Sequence, residues 1–361
     1  MRTLSRYVGR DVLLATLLIF VALVLLFGFF DLIQELSDVG RGGYTMSAAL
    51  LYVALHLPSR MYELFPVAAL IGTLFGISQL VANSEYTVMR ASGASMLQVT
   101  WSVVRIGIPL ALATFLAGEF VAPPAERLAQ TLRASSRGSA TQVVAQQFQS
   151  GFWFKQDRTY ANIRTVLADM TLVGVRIYEF DANSRLVRVR SAESGRFDPA
   201  HNQWALSNVS TTEIGAASTS VTTAPSWMWD TVLRPSILTV YTVAPERLEL
   251  DALYDNIRLL TQSAQKASRF EIAFWTKLLY PLTVVTMMVL ALPFAQFQRR
   301  TSGVGFRIFV GTMLGLAFFL VGRLFSNLGV LNDWPPLFSA VTPLVFFMLV
   351  AAAMLYWTER R

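Results

Sequence analysis

The sequence contains no cysteine, which excludes disulfide frameworks, thiolate nucleophiles and cysteine-bound metals. Its two histidines, His56 and His201, lie far apart in the chain, which argues against a histidine metal site. Lysine occurs only at 155, 266 and 277. None of the three follows the glycine run of a GxxxxGK[ST] loop, so the chain carries no P-loop for ATP hydrolysis. HExxH and GxSxG patterns are also missing, and no catalytic residue, metal or cofactor is expected in the chain itself. Charge is scarce as well: 15% of residues are charged, against about 25% in ordinary soluble proteins. What replaces it is apolar, 54% of the chain with a mean hydropathy of +0.47, which points to a bilayer. The net charge of +7 is mostly arginine. In a membrane protein such an excess reports orientation and anionic lipid, not nucleic acid.

A helix needs about 20 apolar residues to cross the hydrocarbon core. Residues 12–30, 64–84, 278–298 and 334–358 are uncharged over that length. Residues 96–122 hold Arg105 and Glu119 near their ends, where snorkelling is cheap. Residues 308–322 are uncharged, meet Arg323, and resume at Leu324. Six spans are therefore expected. The first is too long for a signal peptide and lacks a small-residue cleavage site, so it is read as a retained span. Arg2, Arg6 and Arg10 precede span one, Arg90 lies between spans two and three, and Arg299, Arg300 and Arg307 lie between spans four and five. Arg360 and Arg361 follow span six, whereas the opposite loops hold only Arg41 and Arg60. The positive-inside rule then places both termini in the cytoplasm and the long middle segment outside.

That middle segment, about 125–270, changes character. A polar helical stretch carries Arg127, Arg133 and Arg137, and short alternating runs follow. Val173, Val175 and Ile177 alternate, as do Val187 and Val189 against Arg188 and Arg190, and Trp204 and Leu206 against Ala205 and Ser207. Turn signals at Asp181-Ala182-Asn183-Ser184, Asp198-Pro199 and His201-Asn202 separate them. The pattern predicts a β-sandwich or jelly roll, equally readable as a packed domain that only binds a partner. Helical periodicity returns over 248–273. The expected fold class is α+β membrane protein. Residues 1–124 form spans one to three, 125–270 the β-jelly-roll domain with helical connectors, and 271–361 spans four to six.

The loop between spans two and three predicts a short helix at about 84–93. Asn83 or Ser84 is placed to cap it and Gly93 to end it. It presents Val88 and Met89 beside Glu85 and Arg90, which suits docking in a groove of a soluble partner; a solvated surface turn remains the other reading. The run Glu85-Tyr86-Thr87-Val88-Met89-Arg90-Ala91-Ser92-Gly93 resembles the coupling-helix signature of the lipopolysaccharide export permeases, the LptF/LptG family. So do Gly118-Glu119-Phe120-Val121-Ala122-Pro123, Pro66-Val67-Ala68-Ala69-Leu70-Ile71-Gly72 and Trp275-Thr276-Lys277-Leu278-Leu279-Tyr280-Pro281-Leu282. The resemblance covers essentially the whole chain, and the first two runs are closer to the LptG branch than to LptF.

The resemblance implies a permease subunit of an inner-membrane ABC transporter of Gram-negative bacteria. It implies pairing with an LptF-like permease, an LptB-like ATPase dimer that binds ATP and Mg, and an LptC-like partner. Lipopolysaccharide would be taken from the outer leaflet and passed through the β domain. Glu85 matches the coupling-helix glutamate, with Val88, Met89 and Arg90 around it. Arg133 matches a basic position after span three, and Arg137 lies one turn on. These two, with Arg323 and Arg60, are candidates for lipid A phosphates, which favour Arg forks. Arg323 lies roughly 24 Å up span five from Arg307, at about 1.5 Å per residue. The alternative for Arg323 is snorkelling to Asp333, and for Arg133 a solvated helix face. Asp31, Glu35 and Asp38 at the outer end of span one depart from the family's basic pattern and would repel phosphate unless an Arg or cation intervenes. Phe152, Phe154, Val175, Ile177, Trp204 and Leu206 are candidate acyl-chain contacts or plain core. Competing functions are the LptF role, a permease for another lipid or lipoprotein, and a membrane scaffold without a transport cycle.

Overall fold

The computed structural model describes residues 2–40, 43–136, 151–167, 170–215, 218–231, 233, 235, 245–262, 266–297 and 304–360. Five helices open the chain: α1 (Arg2–Leu36), α2 (Met46–Ala82), α3 (Glu85–Ala91), α4 (Met96–Phe120) and α5 (Ala122–Ser136). Six strands follow: β1 (Phe152–Gln156), β2 (Thr159–Val166), β3 (Leu172–Phe180), β4 (Leu186–Asp198), β5 (Gln203–Ile214) and β6 (Thr219–Trp229). A 3-10 turn at Pro245–Arg247 leads to α6 (Leu250–Gln262), α7 (Ser268–Leu278), α8 (Tyr280–Phe297), α9 (Val304–Leu331) and α10 (Pro336–Arg360). Five of the helical runs are long and apolar enough to cross a membrane, and α7 with α8 makes a sixth if that bent pair is one span.

A bend of 57° separates α7 from α8, so the run expected as a span at 278–298 begins at an elbow. Its cause is Pro281, which lacks an N–H and would press on the carbonyl four residues back; that Lys277 carbonyl is taken instead by the Leu279 N–H. Arg323 does not interrupt the fifth span, since α9 is continuous through it.

Helix α2 is the hub, with most of its length buried, while α9 lies at the periphery. Residues Gly72 and Gly76, spaced as GxxxG, let α1 cross α2 backbone to backbone. A Cβ on Gly72 would sit 2.3 Å from the Thr16 Cα, and one on Gly76 would sit 3.2 Å from the Val12 Cα. Close approach through small residues is how helices gain dispersion energy where no hydrophobic drive separates them from lipid. Gly72→Leu should therefore force α1 outward and destabilise the protein by about 1–3 kcal/mol or more. A lowered melting temperature of the purified protein reads this; wild-type melting would rule out the tight crossing.

The strands form one antiparallel sheet in the order β1-β2-β3-β4-β5-β6. Among the described residues there is no crossover of the kind a jelly roll requires. The connections explain this: tight turns join successive strands, so neighbours in sequence must pair. At one of them Asp181 Oδ1 accepts the Asn183 and Arg185 N–H groups, both at 2.8 Å. The facing also departs from simple alternation. Gly174 adopts φ +67°, and β3 changes face there. Leu172 is fully buried with Val175 and Ile177, whereas Val173 is half-buried. On β4 the valines face out, and Arg188 and Arg190 lie on the core side. Arg188 meets Glu179 at 2.9 Å and Glu213 at 2.8 Å. Arg190 pairs with Glu179 and lies 4.2 Å over the Trp227 ring, and burial lowers its pKa.

Candidate functional site

Helix α3 sits between the ends of α2 and α4. Ser84 precedes it with φ 63° and makes no side-chain cap, and Asn83 closes α2 instead. Gly93 (φ +93°) makes the exit turn, after which a Ser95–Gln98 capping box starts α4. Glu85 is held from two sides: the Tyr7 hydroxyl donates to Oε2 at 2.8 Å and Asn83 Nδ2 donates to Oε1 at 3.2 Å. Tyr86 and Met89 turn inward and join the apolar cluster that includes Val8 and Val12 of α1, Leu80 of α2, Met96 and Val99 of α4 and Ala295 of α8. The Tyr86 hydroxyl donates to Met96 Sδ at 3.0 Å, and burial raises its pKa. Val88 is 67% exposed and Met89 8%. The two residues expected side by side on the docking face are thus divided, one outward and one rooted in the helix bundle. The helical period requires that division, because Tyr86 and Met89 are spaced three apart on one face. Arg90 is exposed and reaches the Ala94 carbonyl at 3.4 Å. A cavity of about 270 Å3 lies beside α3, lined by Val81, Tyr86, Gln296 and Thr358.

At the opposite ends of the helices the charges pair internally. Arg60 grips Asp31 with two bonds, Nε to Oδ2 at 2.8 Å and an Nη to Oδ1 at 2.7 Å, and reaches Glu63 at 3.0 Å. Arg133 pairs with Glu35 at 3.0 Å, lies 3.7 Å from Asp38, and sits 5.1 Å over the Tyr52 ring. The Tyr44 hydroxyl also donates to Glu35, at 3.0 Å. Asp31 and Glu35 are 7% and 5% exposed. The acids that break the basic pattern at the end of span one are therefore neutralised by Arg60 and Arg133. A phosphate at either arginine would have to use the remaining N–H groups of the fork or displace a carboxylate. Arg323 differs: it is exposed and has no ion pair among the described residues. Asp333, its partner in the alternative reading, is held by Lys266 at 2.7 Å. Arg137 lies outside the described residues.

Deeper in the same region, Glu126 accepts from Ser59 at 3.1 Å and Gln130 at 3.1 Å, and pairs with His56 at 2.7 Å and Arg247 at 2.9 Å. Glu119 pairs with Lys277 at 2.6 Å. Glu119 also accepts the Leu250 N–H at 2.7 Å, and Lys277 donates to the Leu248 carbonyl at 2.6 Å. Next to Glu119, Gly118 leaves room for Tyr62, whose ring carbon lies 2.0 Å from where a Cβ would be. Tyr62 stacks on Tyr280 with centroids 4.0 Å apart, and the Tyr280 hydroxyl donates to the Tyr62 carbonyl at 2.8 Å. Two of the sequence runs singled out above thus meet in space, the end of α4 against the α7–α8 elbow. Nothing in the spacing of 119 and 277 announced that contact, and neither residue was among the site candidates. GxxxG at Gly72 was a readable signal that went unused.

On the sheet, Phe154, Val175, Ile177, Trp204 and Leu206 are all 5% exposed or less and pack in one cluster. The Trp204 Nε1–H donates to the Leu233 carbonyl at 2.6 Å. Phe152 begins β1 on the sheet's edge. The five buried side chains are filled core, closed to a ligand.

A short helix rooted in the bundle, an ion-paired opposite end and an attached sheet describe a machine part without naming it. The sequence profile of the lipopolysaccharide export system permeases LptF/LptG matches residues 6–357. The chain belongs to the LptF/LptG family. It is similar to the lipopolysaccharide export system permease protein LptG of Escherichia coli (strain K12), 33% identical over 353 residues, 98% of this chain and 97% of that protein. The LptG of Haemophilus influenzae (strain Rd) is 30% identical over 361 residues, covering 99% and 98%. Family membership places the chain among permeases of lipopolysaccharide export, multi-pass proteins whose apolar helices fit an inner membrane. Both relatives carry the LptG name, the branch that the residues around Glu85 and Glu119 resemble.

Proposed function

We propose that the chain is a permease subunit of an ATP-driven transporter that draws lipopolysaccharide from the outer leaflet of the inner membrane and hands it towards the outer membrane. In this reading it stands beside an LptF-like permease, above an LptB-like ATPase dimer that holds ATP and Mg, and against an LptC-like protein. The observation that carries the reading is α3. Tyr86 and Met89 share an apolar cluster with α1, α2, α4 and α8, while Glu85 and Val88 stay at the surface. A push on α3 therefore has to move the spans. The arginines at that end of the bundle support a cytoplasmic position for it by the positive-inside rule, with the sheet in the periplasm.

The substrate side follows. Arg323, Arg133 and Arg60, with Arg137 beyond the described residues, would meet the phosphates, and of the first three Arg323 alone forms no ion pair among the described residues. The sheet's candidate contacts (Phe152, Phe154, Val175, Ile177, Trp204, Leu206) would take acyl chains, as a jelly roll does; the last five now fill one another's space, so their face must open first. Purification from membranes tests the whole reading: an ATPase, a homologous six-span permease and lipopolysaccharide should come down together. A scaffold would retain no P-loop ATPase. Within that assembly, Arg323→Ala should remove a charge-assisted contact of about 1.5–3 kcal/mol and weaken lipopolysaccharide binding at least tenfold without changing the melting temperature. Unchanged lipid content removes Arg323 from the phosphate site.

A further inference from the structure

The sheet has a second surface that the transport reading does not use. On the face opposite its core, Trp153 of β1, Tyr160 of β2 and Tyr178 and Phe180 of β3 border an open cavity of about 470 Å3. That volume lies within the range of small-molecule pockets, about 300–1,000 Å3. Trp153 stacks on Tyr178 with centroids 5.9 Å apart and planes at 21°, which leaves its other face outward, and the residue is 52% exposed. Tyr160, 37% exposed, sets its ring edge-on to Phe180 at 5.5 Å. Folding does not require these rings, because the hydrophobic core lies on the other side of the same strands. Four aromatic side chains gathered on a solvated face mark a binding surface.

The rim decides what kind of ligand fits. The cavity is bounded by Lys155 and by the turns that carry Asp157, Arg158 and Asp181. Lys155 lies 5.3 Å over the Tyr160 ring. The Arg158 carbonyl accepts the Phe180 N–H at 3.1 Å, which fixes its turn. Asp157 and Arg158 are exposed and form no ion pair among the described residues. Two cations face two carboxylates, so neither a polyanion nor a polycation is favoured, and a purely apolar ligand would strand four charged groups. What remains is a neutral ring that offers C–H groups on its faces and hydroxyls around its edge. The negative face of an aromatic ring attracts the former, and a carboxylate and a guanidinium are acceptor and donor for the latter.

We propose that this face is a saccharide site: Trp153 and Tyr160 stack pyranose rings, and Asp157 and Arg158 hydrogen-bond their hydroxyls. The inference rests on the transport reading for its source, the uncharged sugars of the lipopolysaccharide in transit; a free glycan offers the same chemistry.

The test uses the full-length protein in nanodiscs and three probes: core oligosaccharide freed from lipid A by mild acid, maltohexaose, and a proline-rich decapeptide. Binding is read by thermophoresis and by tryptophan emission. The core oligosaccharide should bind saturably. Trp153→Ala should weaken it at least tenfold and Arg158→Ala severalfold, while Trp153→Phe retains it and melting temperatures stay at the wild-type value. Arg158 sits in an exposed turn, so its variant remains informative if the tryptophan variant fails to fold. Binding of maltohexaose but not of the core oligosaccharide supports the saccharide site with a source other than the transported lipid. Absence of binding by either saccharide, equal binding by Trp153→Ala, or binding of the peptide alone overturns the proposal. The saccharide probes carry no lipid A and need no ATPase. Their failure would leave the transport reading standing, and failure of that reading would leave the maltohexaose result interpretable.

Discussion

Replacing Lys277 with alanine should destabilise the protein by about 3–5 kcal/mol, the usual effect of stripping one partner from a buried ion pair. The Lys277 side chain is 5% exposed and that of Glu119 is 12%, so neither charge can recover its hydration in place. Without the ammonium, Glu119 keeps only the Leu250 N–H, and the Leu248 carbonyl loses its donor. The pair also has a mechanical position. It joins the end of α4, the elbow that opens the fourth span and the strand of chain returning from the sheet, so its loss loosens three segments together. Glu119→Gln alone should be harmful too, because it leaves the buried ammonium uncompensated. The double variant Glu119→Gln, Lys277→Met should recover most of the loss, since removing both charges removes the desolvation penalty with them. Melting of the wild type, Glu119→Gln, Lys277→Met and the double variant gives the coupling energy. Single-variant effects that add within about 0.5 kcal/mol would show that the pair does not act as a unit.

What the sequence made legible follows from how local each signal is. Apolar runs of bilayer length are local, and the four uncharged runs and the two interrupted ones all fall on helices over the described residues. The α3 loop is local, and its helix appears within a residue or two of its expected bounds. Turn chemistry at Asp181 and Asp198 is local, and strands end there. The order of strands was less legible: alternation predicts strands but not partners, and the tight turns, which do predict partners, point to a meander. Facing was misleading where a backbone irregularity intervened, as at Gly174, or where ion-paired side chains took core-side positions, as at Arg188 and Arg190. Least visible were the long-range polar contacts. Arg60 with Asp31, Arg133 with Glu35, Tyr7 with Glu85 and Lys277 with Glu119 join residues whose separation follows no repeat. The acids at the end of α1 illustrate the consequence. As sequence they read as repulsion against phosphate; in space they are the internal counter-ions of two of the candidate phosphate ligands.

Glu85→Ala should leave the protein in the membrane at normal abundance and lower lipopolysaccharide release per ATP hydrolysed by at least tenfold. Truncating one partner of a charge pair at an interface costs about 2–5 kcal/mol, and about 1.4 kcal/mol is already tenfold. Abundance should hold because Glu85 lies at the surface and its two partners, Tyr7 and Asn83, remain solvated without it. Two further variants separate charge from posture. Tyr7→Phe removes only the hydrogen bond that fixes Oε2, worth about 0.5–1.5 kcal/mol, so release should fall two- to tenfold at most. Glu85→Gln keeps an acceptor for Tyr7 and loses the charge. If the glutamine variant matches alanine, the carboxylate charge transmits the stroke; if it matches the wild type, the Tyr7 bond and the posture of α3 do. The burial of Tyr86 and Met89 sets the fourth arm. Met89→Ala leaves Glu85 in place but empties a buried anchor, at about 2–5 kcal/mol, so α3 can yield without moving the spans. Coupling should then fall although the docking face is intact. Normal release by Glu85→Ala removes that residue from the mechanism, and normal release by Met89→Ala removes the lever.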